Sequence, residues 1–216
     1  MSLPNSPVTY WEEKILHWER LRYSQWLFFY PLSWTVRSRL NSSVKIIKKR
    51  LQTDWLVLEL GCGSGIFAFN IANEVGHYLG VDIAANAIAL AKKKNRHTQL
   101  QFLAADIMKI SFEKKDVVIF LGLTDWLEVE QLRELFSKLH TNNVFFSYTE
   151  TKVVSSWNPY YYYRIIMDRK SFKYSYRARN YSEVEIRKLL KDFGYSVEII
   201  KPATLLNPGV LVWGKK

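Results

Sequence analysis

The chain has 216 residues and a mass of 25.5 kDa, 48% apolar and 24% charged, which fits one domain with a full core and excludes a largely disordered chain. Lys plus Arg number 31 against 20 Asp plus Glu, and the resulting +11 points to anionic partners (nucleic acid, anionic lipid or a charged substrate) without choosing among them. Aromatic residues reach 15%, more than a core of this size needs, so some are expected to line a pocket or meet a membrane interface. Cys62 is the single cysteine, which rules out an internal disulfide and a multi-cysteine zinc site and suits a reducing, cytoplasmic setting. Residues 1–9 lack the pattern of a secretory signal, and the apolar stretch 23–36, broken by Ser24, Gln25, Pro31 and Ser33, is too short to span a bilayer.

Residues 11–51 read as one or two amphipathic helices interrupted near Pro31. Trp11, Ile15, Trp18 and Arg22 share one stripe, and Val36, Leu40, Val44, Ile47 and Leu51 share another. From Asp54 onward, apolar runs alternate with helical patterns. The runs are at 55–60, 78–83, 101–104, 116–122, 144–148, 197–200 and 210–213, several without polar alternation, as strands buried on both faces of a parallel sheet read. Helices are expected over 66–75, over 84–94 with Lys92, Lys93 and Lys94 at the negative end, and over 126–139. A further helix starts at the Ser182 and Glu185 capping box and stops at Gly194. Residues 151–180 form an insertion with seven Lys or Arg against Asp168, and the last two runs read as a pair of strands, antiparallel at the sheet edge. The whole predicts an α/β fold: a Rossmann-like, seven-stranded, mostly parallel sheet with an antiparallel last strand, helices on both faces and an N-terminal helical extension.

The most specific local feature is Glu59-Leu60-Gly61-Cys62-Gly63-Ser64-Gly65, where a buried strand meets three alternate glycines and then a helix. Such a loop admits a ligand close to the backbone and leaves N–H groups free at the helix start. The dinucleotide spacing fails, because Ile66 stands where its last glycine belongs, and no Gly-Lys-Ser/Thr follows to make a phosphate loop. The motif resembles the first motif of the class I S-adenosylmethionine-dependent methyltransferases. Gly80-Val81-Asp82-Ile83 and Ala104-Ala105-Asp106-Ile107 supply the family's next two acidic positions in order.

The resemblance implies S-adenosylmethionine as cofactor, S-adenosylhomocysteine as its product, and a cofactor site made of Glu59, Gly61, Cys62, Gly63, Gly65, Asp82, Ile83, Asp106, Ile107 and Leu121. Asp82 would take both ribose hydroxyls, Asp106 the adenine amine, and Ile83 and Ile107 the two faces of the ring. It also implies residues 54–216 as the cofactor-binding domain, carrying the 151–180 insertion, and residues 1–53 as a lid.

On the acceptor side, Asp125 is the candidate catalytic residue, to orient or deprotonate an acceptor, with helix capping as its competing role. Trp126, Trp157, Tyr160 and Tyr161 are candidates to touch the acceptor. Arg37 or Arg39 would suit the cofactor's carboxylate, with a solvated helix position as the alternative. Cys62 is expected to face the cofactor from within the loop rather than act as a nucleophile. His17, His77, His97 and His140 show no metal spacing, and no metal is expected.

Three functions compete: methylation of a small apolar or aromatic acceptor under a two-part lid, methylation of RNA by the basic appendages, and non-catalytic binding to an anionic membrane or partner. The first is preferred, with peripheral membrane contact as an option and nucleic acid less favoured. Residues 1–50 and 151–180 each carry a net +6 and the remainder −1, so the positive charge is assigned to the segments facing acceptor or surface.

Overall fold

A computed structural model describes residues 6–23, 31–151, 178–201 and 209–216, without the side chains of residues 21, 22 and 31–36. Two helices come first, α1 (Pro7–Tyr23) and α2 (Pro31–Arg50). Then follow β1 (Leu56–Leu60), α3 (Ile66–Asn70), β2 (His77–Asp82), α4 (Ala85–Lys94), β3 (Leu100–Ala104), β4 (Lys115–Leu121), α5 (Val129–Lys138), β5 (Thr141–Thr149), α6 (Glu183–Asp192), β6 (Ser196–Lys201) and β7 (Gly209–Lys215). The strands make one sheet in the order β3-β2-β1-β4-β5-β7-β6. All neighbours are parallel except β7, which runs antiparallel to both β5 and β6.

The strand alternation sorts side chains into two cores. Val57, Val117, Ile119, Phe145, Leu211 and Trp213 face one side with Ile47 of α2, Phe67 of α3, and Ile88 and Ala91 of α4. Leu58, Val118, Phe120, Phe146 and Val212 face the other with Leu132, Leu135 and Phe136 of α5 and Ile186 and Leu190 of α6. Both faces are therefore buried, which is why the strands read as continuous apolar runs. Phe120 and Phe146 stack across β4 and β5 with centroids 4.7 Å apart and planes 10° apart, and Phe136 meets both edge-on.

The chain leaves β1 toward β2 on one side and places β4 on the other, so the connections diverge between β1 and β4. In open α/β sheets ligands bind in the crevice at that switch point, at the carboxyl ends of the strands.

Two expected helices differ from the structure. The helix expected over 66–75 is split, because Ile71 leaves helical geometry (φ −119°, ψ 11°) and a 3-10 turn, Ala72–Glu74, follows. The helix expected from residue 126 begins at Val129. Its cap is Glu128, whose side chain accepts from the Gln131 backbone while the Gln131 side chain accepts from the Glu128 N–H, and Thr124–Trp126 forms a separate 3-10 turn. The box at Ser182 and Glu185 forms as expected. No helix among the described residues is long and apolar enough to cross a membrane.

Candidate functional site

At the carboxyl ends of β1, β2 and β4 a cavity of about 270 Å³ opens. Its floor and sides are Gly61, Asp82, Ile83, Asp106, Ile107 and Leu121, and its cover is Pro7, Trp11 and Ile15 of α1 with Trp126. The cover holds an aromatic cluster: Trp126 lies 5.5 Å from Tyr10, 4.8 Å from Trp11 and 5.8 Å from Trp18, centroid to centroid. The apolar stripe of α1 thus lies on the strand ends rather than on the sheet face.

Asp82 organises the floor. Its carboxylate accepts from the Gly63 N–H at 2.8 Å and the Ala84 N–H at 2.9 Å, joining the glycine loop to the start of α4. Each oxygen keeps a further lone pair for a ligand. Burial raises its pKa, and these amides oppose the rise. Gly61 has φ +72°, a left-handed conformation that turns the chain at the end of β1 while leaving its Cα open to the cavity.

Of the residues assigned to the cofactor, Gly61, Asp82, Ile83, Asp106, Ile107 and Leu121 line the cavity, as does Trp126 from the acceptor set. Gly63 and Gly65 belong to the loop behind it. Glu59 lies one layer beneath, buried and accepting a hydrogen bond from the Tyr78 hydroxyl, with burial pushing its pKa to about 8. Cys62 differs from expectation. Its side chain turns away from the cavity into the core, where a Cβ on Gly80 would come within 2.9 Å of Sγ, and burial pushes the thiol pKa up. The absence of a side chain at Gly80 makes that inward rotamer fit.

Asp125 is buried but lies outside the cavity lining. One carboxylate oxygen accepts from the Thr149 N–H at 2.8 Å, the other from Thr149 Oγ1 at 2.7 Å, and its carbonyl accepts from the Arg179 N–H at 2.6 Å. These bonds clamp the loop after β4 to the end of β5. The capping role expected of Asp125 therefore fails, because its carboxylate is turned to β5 and Glu128 caps α5. Trp157, Tyr160 and Tyr161 lie outside the described residues. Among the described residues no group of three His, Cys, Asp or Glu is placed to hold a metal ion.

One residue gains a place that sequence reasoning did not give it, and one left open is placed. Glu19 of α1 reaches the glycine loop, where its Oε1 accepts from the Ser64 N–H at 3.0 Å and fills the space a Cβ on Gly63 would need. Burial and the neighbouring Asp82 raise its pKa, and the Ser64 hydrogen bonds and Lys94 counter this. The signal was an acid four residues after Ile15, on the same helical face. Arg39 of α2, left between a ligand role and a solvated one, lines the cavity beside Gly122.

Parallel topology, the glycine loop at the switch point and acids at the ends of two neighbouring strands are the arrangement of the Rossmann-like methyltransferase fold. Residues 57–142 match the family model described as a methyltransferase domain. The chain is 31% identical over 93 residues to a malonyl-[acyl-carrier protein] O-methyltransferase of Bacillus anthracis, covering 41% of this chain and 35% of that protein. It is 29% identical over 138 residues to an uncharacterized RNA methyltransferase of Nanoarchaeum equitans, covering 60% and 28%. The chain thus spans about a third of the length of these two relatives. In fold it is similar to magnesium protoporphyrin IX methyltransferase from Synechocystis PCC 6803 with bound SAH: TM-score 0.74, 19% identity, 96% of this chain and 97% of that one.

Proposed function

We propose that this protein binds S-adenosylmethionine in the cavity at the ends of β1, β2 and β4 and methylates a small apolar or aromatic acceptor beneath a cover supplied by residues 1–53. The observation that carries this reading is a single cavity with carboxylates on its floor and an indole cover, Asp82 and Asp106 below and Trp11 and Trp126 above. The residues fit the cofactor. Asp82 accepts from the ribose hydroxyls with its remaining lone pairs, and Asp106, whose Oδ1 accepts from the Met108 N–H, offers its other oxygen to the adenine amine. Ile83 and Ile107 flank the ring, and Gly61 admits the ligand to the backbone.

The sulfonium supplies an already activated methyl group, so the protein's work is alignment and exclusion of water. Pro7, Trp11, Ile15 and Trp126 keep water out from above, and the Asp125 clamp on Thr149 fixes the loop that carries Trp126. The RNA-methylating and non-catalytic readings gain no specific observation from the cavity, whose walls are mostly apolar.

Isothermal titration with S-adenosylhomocysteine tests the reading. Binding to the wild-type protein, weakened about 10- to 100-fold in Asp82→Asn, is expected from the loss of charged acceptors for two hydroxyls. No binding, or equal binding by the variant, contradicts it.

A further inference from the structure

Away from the cavity, one ammonium is held without an acid. Lys201 ends β6, and its Nζ donates to Ser38 Oγ at 2.9 Å and to Ser42 Oγ at 3.3 Å, both on α2. The two serines stand four residues apart, so one face of the helix presents both hydroxyls. Lys48, Lys115 and Lys138 each pair with a glutamate, whereas Lys201 meets no carboxylate among the described residues. Lys201 is half-buried, and burial lowers its pKa with no acid to oppose the shift.

This cluster has donors without acceptors. An ammonium carries three N–H groups, and a hydroxyl that accepts through a lone pair still has its O–H to give. Two of the Lys201 donors go to the serines, which leaves the third and both hydroxyl protons. Helical serines can turn the hydroxyl back to a carbonyl of the preceding turn, but neither Ser38 nor Ser42 does so. An ammonium is a point charge and a hydroxyl rotates, so the three donors impose no planar fork and suit the three oxygens of a phosphate group better than the two of a carboxylate. The surrounding field has the same sign, because α2 carries six Lys or Arg and no Asp or Glu.

The cluster stands level with the cavity. Lys201 pairs with Leu211, Leu211 with Ser147, and Ser147 with the cavity residue Leu121, so one row of residues crosses four strands. Three inter-strand spacings put the ends of that row about 14 Å apart. The helix α2 serves both ends, with Ser38 and Ser42 at Lys201 and Arg39 at Gly122.

We propose that Lys201, Ser38 and Ser42 form a phosphate-binding site at the β6 edge of the sheet. The phosphate comes from one of two sources: free inorganic phosphate, or an acceptor that is itself an aromatic phosphate monoester reaching from the cavity toward β6. The second source rests on the cofactor-site reading above; the site itself does not.

Calorimetric titration at fixed chloride concentration tests the site with two probes, inorganic phosphate and the aromatic monoester 4-methylumbelliferyl phosphate, with melting temperatures as the check on folding. Lys201→Gln removes the charge, and Ser38→Ala combined with Ser42→Ala removes the hydroxyls. Lys45→Gln, at an exposed position of the same helix, measures diffuse attraction to α2. Saturable binding of phosphate to the wild-type chain is expected, weakened about 10- to 100-fold by Lys201→Gln and about 10-fold by the serine pair, and unchanged by Lys45→Gln. If the anion is free, both probes bind alike with or without S-adenosylhomocysteine. If the acceptor carries it, saturating S-adenosylhomocysteine strengthens binding of the monoester but not of inorganic phosphate, and Lys201→Gln abolishes that gain. No saturable phosphate binding by the wild-type chain, or equal weakening by Lys45→Gln and Lys201→Gln, overturns the proposal. So does a Lys201→Gln chain that melts earlier yet binds phosphate as the wild type does, because Lys201 then only fastens α2 to β6. Failure of the wild-type chain to bind S-adenosylhomocysteine overturns the cofactor-site reading instead and leaves the inorganic phosphate result intact.

Discussion

The sheet and its cover are held together by different physics. In the sheet, β1, β4, β5 and β7 contribute alternate side chains to two buried cores, and the position of each strand follows from which of its residues face which core. Among the described residues the cover meets the body through polar and ring contacts as well as burial: Glu19 on the Ser64 amide, Asn86 Nδ2 donating to the Glu12 carbonyl at 2.5 Å, and the ring cluster of Tyr10, Trp11, Trp18 and Trp126. A region fixed by burial resists displacement, whereas one fixed in part by hydrogen bonds and ring edges opens at lower free-energy cost. A rigid floor under a releasable cover suits a site that must admit a cofactor and then shed water.

The largest expected effect breaks the sheet side of this comparison. Phe120→Ala removes the ring stacked on Phe146 and is expected to cost about 3–5 kcal/mol, read as a fall in melting temperature of about 10 °C. A loss under about 1 kcal/mol would show that the stack is not a principal support.

A smaller effect follows from Glu59. Its pKa is raised from 4.5 to about 8, so the folded protein keeps a proton that the unfolded chain gives up, and stability falls as pH rises from about 4.5 through about 8. Glu59→Gln has no such proton. It is expected to flatten the pH dependence of thermal unfolding and to gain on the order of 2 kcal/mol over the wild type at pH 8. Some slope should persist, because the pKa values of Asp82 and Glu19 are raised in the same direction. Parallel pH profiles for variant and wild type would contradict this account.

The smallest effect concerns how α2 is docked. Arg50 makes two bonds to Glu198, at 2.8 and 2.9 Å, and lies over the Trp213 ring at 4.9 Å, but the pair is substantially exposed. A double-mutant cycle of Arg50→Ala and Glu198→Ala is expected to give a coupling below about 1 kcal/mol, reduced further by salt. A coupling above 2 kcal/mol would make ion pairing, rather than Ile47 in the core, the main attachment of α2.

Much of the sheet was legible because burial on both faces leaves a plain trace. The run at 78–83 became His77–Asp82, and that at 116–122 became Lys115–Leu121. The glycine loop was legible for a similar reason, since its conformation demands the residue. What escaped depended on contacts distant in sequence. Thr149 turned Asp125 away from helix capping, and the open space at Gly80 drew Cys62 inward. Glu128 escaped as a cap because glutamate is not among the residues that usually serve there.

The distribution of charge is also sharpened. The appendages hold the positive excess, yet Lys48 pairs with Glu74, Arg50 with Glu198, and Arg179 with Glu128 and Glu185. Part of that charge therefore fastens the appendages to the body instead of awaiting an anionic partner, and Arg39 is the cation placed in the cavity itself.

Hydrogen exchange with and without S-adenosylhomocysteine tests most directly whether a releasable α1 covers a rigid cofactor floor. Without ligand, α1 amides are expected to exchange well before those of β1 and β4. With ligand, α1 and the segment from Gly61 to Ala84 should both slow. Exchange in α1 as slow as in the central strands, or ligand protection confined to residues away from this cavity, would contradict the account.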